Sequence, residues 1–430
     1  MKIYYYNRLS KTKLTRLFKR PSIESKIIYS IVDPIISDVK RNGDKAVIMY
    51  AKEFDKFTGS TIKVSQRELS EAERKISEEF KSAIKISAKN ITKFHRKQIP
   101  DNYLIEMEKG VVCGRKYEPI ENVGLYIPGG SAVLISTILM LAIPAKIAGC
   151  KRIVLCSPCK GDQLDRSVLY IAKLCGIDEV YKVGGAHAIA MMAYGTSKFK
   201  KVDKIFGPGN QYVTAAKSLV SIDPDGCVID MPSGPSEVLI IADKFANPAF
   251  IASDLLSQAE HGVDSQVILL TDKLHIATSV SKQVTIQLKK LPRKTIAVQS
   301  LKASFILLVD SIYKAIELSN EYAPEHLIMN FTNAEKKLGE IKNAGSVFIG
   351  QYSPESAGDY SSGTNHSLPT YGYAKSSSGV SVEMFMKAIT FQKITKVGLK
   401  KLSSAVIKLA TTEGLEAHAN AVKVRIKNGN

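Results

Sequence analysis

From about residue 150 onward the chain alternates short apolar runs with longer amphipathic stretches. The runs "RIVLCS" (152–157), "EVYKVG" (179–184), "KIFG" (204–207), "EVLIIAD" (237–243), "QVILLT" (266–271), "SFILLVD" (304–310), "HLIMN" (326–330) and "SVFIG" (346–350) read as strands buried on both faces. Segments 163–175, 210–221, 273–290 and 332–343 lie between them and carry apolar residues at helical period. Strands alternating with helices predict parallel sheets, and their number predicts two α/β domains rather than one small sheet. Earlier in the chain, residues 23–100 predict charged helices, and "AVLISTILMLAIPAKIAG" (132–149) predicts a buried helix. The end, 381–430, predicts a separate, basic, helical tail. Residues 351–379 have no apolar period and are rich in Gly, Ser and Pro. A loop of that length inside a compact protein points to function, and this one carries Asp359 and His366.

One helix ends unusually. In "NPAFIASDLLSQAEHG", Asn247 caps the start and Pro248 takes the first helical position. Continuing the period puts Gln258 and His261 one turn apart on one face, with Gly262 as the stop. Such a pair can simply answer the helix dipole. It can also be half of a metal or substrate site.

Composition narrows the class. Apolar residues make up 45% and charged residues 23%, ordinary for a globular enzyme. No uninterrupted apolar stretch has the length of a membrane span, since Pro144 and Lys146 break the nearest one. The first twenty residues hold seven bases and no acid but lack the apolar core of a secretory signal, so the expected location is the cytoplasm. Cysteines 113, 150, 156, 159, 175 and 227 sit mostly in apolar segments, as reduced thiols would. Cys156 and Cys159 form a CxxC, but no second pair stands at zinc-ribbon spacing. The net charge of +19 comes mainly from scattered Lys without aromatic interleaving. That reads as a solvated surface, with neither a nucleic acid nor a membrane as partner.

Glycine-rich turns lead into helices at "GLYIPGGS" (124–131), "VGGAHAIA" (183–190) and "FGPGNQYV" (206–213). Each can be an ordinary tight turn; together they suggest a dinucleotide platform. "APEHL" (323–327) sets Glu325 beside His326 at a strand start, and "EGLEAHANAV" (413–422) brings Glu413 and His418 near the end. A His that titrates near neutrality suits a general base, and a neighbouring carboxylate can activate water. Gln258, His261, Asp359 and His418 form an oxygen and neutral-nitrogen set suited to Zn²⁺.

Taken together, these stretches resemble the histidinol dehydrogenase family. The resemblance rests on "VGLYIPGGSA", "KIFGPGNQYVTAAK", "DMPSGPSEVLIIAD", "DLLSQAEHGVDSQVILLT", "YAPEHL", "SPESAGDYSSGTNHSLPTYGYA" and "EGLEAHANAV", which run in the family's order across about residues 120–425. It implies Gln258, His261, Asp359 and His418 as ligands of one Zn²⁺ per subunit. Glu325 becomes the acid that activates water and His326 the main proton-transfer base. Ser236, Glu413 and His418 become substrate contacts, with Gln258, His261, His326 and Asp359 lining the same site. Tyr126, His187 and Asn210 fall at the NAD⁺ contacts. Here the family carries "GGAQ" where this chain has "GGAH", so His187 replaces an amide and alters that contact.

The resemblance further implies a four-electron oxidation of L-histidinol to L-histidine through the aldehyde, with two NAD⁺. The implied architecture is two α/β domains with incomplete Rossmann-like parallel sheets and small helical terminal segments, in a homodimer with shared sites. Mapped here, that gives an N-terminal segment (1–22), a main domain with the metal and catalytic residues (23–125 and 238–380), an inserted cofactor domain (126–237), and a tail (381–430) that completes the partner's site. Two other readings stay open at this point: a zinc alcohol dehydrogenase that stops at the aldehyde, and a basic nucleic-acid-binding protein.

Overall fold

The computed structural model describes residues 1–21, 25–129, 133–177, 179–231 and 234–427. Gly130 and Ser131 of the first glycine-rich turn, Ser233 and Pro232 of the "DMPSGPS" block, and the expected boundary at 22/23 lie outside the described residues. In chain order the early strands are β1 (Lys2–Tyr5), β2 (Tyr103–Glu108), β3 (Val111–Pro119) and β4 (Asn122–Tyr126). They are followed by β5 (Arg152–Ser157), β6 (Glu179–Lys182), β7 (Lys204–Phe206), β8 (Val228–Ile229) and β9 (Glu237–Ala242). The last are β10 (Gln266–Thr271), β11 (Phe305–Leu308), β12 (His326–Asn330), β13 (Ser346–Ile349) and β14 (Met386–Ile394).

Two of the three sheets are parallel. The larger runs β1-β11-β10-β9-β12-β13 and the smaller β6-β5-β4-β7-β8. Every residue of β9 and β10 is buried, which is why their sequences read as unbroken apolar runs. Alternation still operates within them. Val238, Ile240 and Ala242 face one core layer with the helix Pro248–Ala259, while Leu239 and Ile241 face the other with the helix Ile312–Tyr322. The smaller sheet does the same, with Val123, Leu125 and Leu155 on one face and Val154 and Cys156 on the other. Each fully buried aliphatic side chain contributes about 1.5–3 kcal/mol, so these four layers dominate stability.

The two α/β units match the expected fold class, and several finer expectations change. The sequence groups residues 23–125 with the larger unit. Instead, helix Ser25–Asn42 packs Ile28, Val32 and Ile36 onto the smaller sheet's core, and helix Glu78–His95 packs Ile84 and Ile91 there. Strand β4 also belongs to that sheet, so the smaller unit begins before residue 126. The N-terminal segment is not merely helical, because β1 forms an edge of the larger sheet. The tail is not helical throughout either. β14 pairs antiparallel with β3, and β3 with β2, in a third sheet. Ile389, Thr390 and Phe391 are strong strand formers, and the long partner β3 overrides the helical spacing of the sequence. The helix expected at 332–343 is a 3₁₀ segment, Ala334–Glu340.

Residues from both parallel-sheet units line one cleft. In the smaller sheet, strand order reverses at β4, with β5 and β6 to one side and β7 and β8 to the other. The carboxyl ends of β4 and β7 flank that switch point, where open α/β sheets bind ligands. They open toward the amino ends of β9 and β12 in the larger sheet, where Glu237 and His326 begin their strands.

Candidate active site

The cleft is lined by Ser236, His261, Glu325, His326, Asp359 and His366 from the larger unit and by Pro208 and Asp230 from the smaller.

Glu325 and His326, the expected acid–base pair, stand at a sharp change of direction. Helix Ile312–Tyr322 ends at Ala323, a non-glycine residue in the left-handed region (φ 55°), and β12 starts three residues later. Ala323 is fully buried, so its conformation is enforced by packing. Glu325 is pinned by main chain: its Oε2 accepts from the Glu237 N–H at 2.8 Å. His326 Nδ1 lies 3.0 Å from the Glu237 carbonyl and 3.5 Å from Glu325 Oε2. A carbonyl can only accept, so Nδ1 carries the proton. In the neutral ring Nε2 is left as the acceptor; it lies 3.5 Å from Asp359 Oδ1, with which it pairs only when protonated.

Beside this pair sits a cluster of ligand types. Ligand atoms of His261, Glu355 and Asp359 all lie within 4.8 Å of one another. Gln258 is fully buried on the last turn of the helix Pro248–Ala259; with its amide nitrogen turned toward Glu355, it donates to Oε2 at 2.9 Å. The helix stops at Ala259, and His261 follows in the succeeding turn, its N–H bonded to the Gln258 carbonyl at 3.2 Å. Asn247 caps the other end as expected, accepting from Ala249 N at 2.9 Å. Asp359 Oδ1 is buried without a hydrogen-bond partner. An orphaned carboxylate oxygen amid His, Gln and Glu donors fits a divalent cation of the zinc type.

Electrostatics follow from burial. Burial pushes Glu325 up, only partly offset by His326 and the Glu237 N–H. Glu355 is pushed well above the usual carboxylate range by burial, reinforced by Asp359, Glu325 and Asp254. Burial would also raise Asp359, but His326, His366 and His261 outweigh it and hold it low. Burial opposes the charged form of His326, yet Glu325, Asp359 and Glu355 together hold it well above its ordinary value. His261 and His366 are lowered by burial. His366 is fixed between the Asp359 carbonyl (2.8 Å) and Thr137 Oγ1 (3.0 Å), and so orients the turn that carries Asp359.

The expected cofactor residues gather around the smaller sheet. Tyr126 ends β4, and its hydroxyl accepts from Gly185 N at 3.1 Å. Asn210, exposed just after β7, caps the helix Gln211–Ile222. Between them Gly207 (φ 123°) passes so close to Tyr126 that a Cβ would lie 2.1 Å from its carbonyl oxygen. Lys217 and Asp230, buried and paired, hold that glycine through its carbonyl and N–H (2.8 Å each). His187 is fully buried, its Nε2 3.2 Å from Asp55, whose carboxylate also takes the Gly184 N–H at 2.8 Å. The imidazole therefore faces the N-terminal helices rather than the cleft.

Ser236, Gln258, His261, Glu325, His326 and Asp359 thus come together from distant parts of the sequence. Glu413 and His418 do not join them: both are exposed in the tail, and neither lines the cleft of its own subunit. Glu355 was not anticipated, although "ESAGD" spaces it four residues from Asp359, one turn apart on a short helix.

Two α/β units closing on a buried Glu–His pair and a cation-ready cluster define an α/β enzyme, and comparison with known proteins specifies which kind. A family model described as histidinol dehydrogenase matches residues 18–426. The chain is 50% identical to a histidinol dehydrogenase of Aliivibrio fischeri, over 99% of this chain and 97% of that one. It is 51% identical to one of Campylobacter jejuni over the whole of both chains. A crystal structure of histidinol dehydrogenase from Elizabethkingia anophelis superposes with a TM-score of 0.95 at 50% identity, covering 100% of this chain and 98% of that one. The chain belongs to the histidinol dehydrogenase family and is a dehydrogenase.

Proposed function

We propose that the chain oxidises L-histidinol to L-histidine through L-histidinaldehyde, using two NAD⁺ and one Zn²⁺ per subunit. The observation that carries this reading is the Glu237–Glu325–His326 arrangement, which leaves one unpartnered imidazole nitrogen at the cleft beside a cation-ready cluster. Gln258, His261 and Asp359 would hold the metal, with His418 as a fourth ligand from a partner subunit. When bound, zinc supplies a fixed positive centre for the substrate's nitrogens, and NAD⁺ accepts the hydride.

The chain's own groups supply the proton chemistry. His326 Nε2 removes the alcohol proton in the first oxidation. Glu325, with its affinity for protons raised, is suited to deprotonate the water that adds to the aldehyde. His326 acts again as the hydrate is oxidised. With Asp359 engaged by a cation, one of the three carboxylates that hold His326 protonated is committed elsewhere, which favours its neutral, proton-accepting form.

The cofactor is assigned to the smaller unit, near the carboxyl ends of β4 and β7, with Tyr126 and Asn210 as contacts. The position of His187 favours a second-hand role, through Asp55 and the Gly184 turn. A homodimer is supported by the third sheet, which leaves Leu104, Met107 and Phe391 exposed by 66%, 62% and 44%. Cytoplasmic residence is supported by six unpaired cysteines. No helix among the described residues is long and apolar enough to cross a membrane.

The deciding experiment counts NADH per histidinol consumed, with and without a chelator. Two equivalents, lost on chelation and restored by Zn²⁺, are expected. One equivalent would favour an alcohol dehydrogenase that stops at the aldehyde.

A further inference from the structure

Both groups of the acid–base pair depend on the main chain of Glu237. Its N–H holds Glu325 Oε2 and its carbonyl holds His326 Nδ1. What holds Glu237? Its carboxylate is 2% exposed and receives a two-pronged bond from Arg20, Nε to Oε1 at 2.8 Å and Nη2 to Oε2 at 2.9 Å. The Tyr371 N–H adds a third bond, at 2.7 Å to Oε1. The same guanidinium reaches the other side of the pair. Nη2 donates to the carbonyls of Tyr322 (2.8 Å) and Ala323 (3.2 Å), the residues that lead into Glu325 through the left-handed turn. It also lies 3.8 Å above the ring of Tyr322, which is itself buried and bonded to Gln266. Arg20 therefore ties together the start of β9, the turn before β12 and, through Glu237, the loop around Tyr371. None of these elements is close to the N-terminal segment in sequence.

We propose that Arg20 is a positioning residue for the reaction: by clamping the Glu237 carboxylate and the Tyr322 and Ala323 carbonyls, it sets the main-chain groups that aim Glu325 and His326. This rests on the reading of Glu325 and His326 as the acid–base pair. The clamp is a planar fork on a carboxylate, with the second Nη2 hydrogen shared between two carbonyls, a geometry that a lysine ammonium cannot reproduce. Arg20 does not line the cleft, so its loss should leave substrate and cofactor binding largely intact. An error of alignment in the pair should appear in turnover instead.

The test compares Arg20→Ala, Arg20→Lys and Glu237→Gln with wild type in kcat, in KM for histidinol and NAD⁺, in bound zinc and in Tm. Expected is a fall in kcat of about 10²-fold for Arg20→Ala and Arg20→Lys, with both KM values within about twofold and zinc content unchanged. Methylguanidine should restore about tenfold of the loss in Arg20→Ala and nothing in Arg20→Lys, whose side chain fills the site. Glu237→Gln keeps the main-chain groups and should show the same loss, and the double variant Arg20→Ala/Glu237→Gln should be no worse than either single one. If Arg20→Ala does not fold, Glu237→Gln and Arg20→Lys carry the test alone. The proposal is overturned by folded variants with wild-type kcat, by a rise in KM at constant kcat, or by a fall in Tm without loss of turnover in the folded enzyme. Glu325→Gln and His326→Asn run alongside separate the two readings. If these stay active, the acid–base assignment fails; if they are dead while the Arg20 variants turn over normally, only the clamp fails.

Discussion

His326 and Glu325 are neighbours in sequence with different environments, and the difference assigns different losses to each. Glu325→Gln preserves the bond from Glu237 N–H and leaves His326 in place, so the first oxidation should persist. Oxidation of the aldehyde should fall by about 10²- to 10⁴-fold, the usual contribution of a positioned acid or base. His326→Asn should depress both steps. Separate stopped-flow traces from histidinol and from histidinaldehyde check this, and a Glu325→Gln enzyme with normal aldehyde oxidation would remove Glu325 from its role. Sequence shows these residues because "APEHL" sets an acid beside a histidine. It conceals Glu355 and Glu237, whose importance comes from what folding places against them. A buried glutamate at a strand start looks like any polar terminus until its main chain is seen to hold two side chains from a strand that follows more than eighty residues later.

The helix Pro248–Ala259 shows how one element can carry opposed demands. Its cap and its Pro248 start were legible, and so was the nearness of Gln258 to His261. Its end was not, because Glu260 and His261 leave the helix in a turn that no strong stop residue marks: Gly262 does not adopt a positive φ. One turn before Gln258, burial raises Asp254 to about 7. An acid whose folded pKa lies above its unfolded value favours folding at low pH, and that advantage is lost as pH rises from about 4 to about 7. Asp254→Asn should therefore stabilise the protein by up to about 4 kcal/mol at pH 8 and by almost nothing at pH 4. Thermal melts at the two pH values check the sign, and an equal gain at both would show that the carboxylate's charge is not the cause.

At the scale of the whole molecule, the two parallel sheets were legible because buried strands announce themselves as apolar runs. The third sheet was not. β2 is exposed throughout and β14 nearly so, leaving no buried face to impose a period on their sequences. That sheet starts the tail on its path, and the exposed positions of Glu413 and His418 give the shared-site proposal a direct test. His326→Asn and His418→Asn homodimers should both be inactive. Co-expressed, half the dimers are mixed, and each mixed dimer has one site with both lesions and one with neither, so activity should recover to about a quarter of wild type. No recovery from verified mixed dimers would mean that each tail serves its own subunit. A different consequence follows from β1, which lies parallel to β11 with Lys2 opposite Phe305. The ribosome makes this edge strand first and its partner about 300 residues later, an interval of about 15–60 s at ordinary elongation rates. Throughout that time "KIYY" has no sheet to join, so the nascent chain must keep a tyrosine-rich strand from pairing with its neighbours on the same messenger until the larger sheet can close over it.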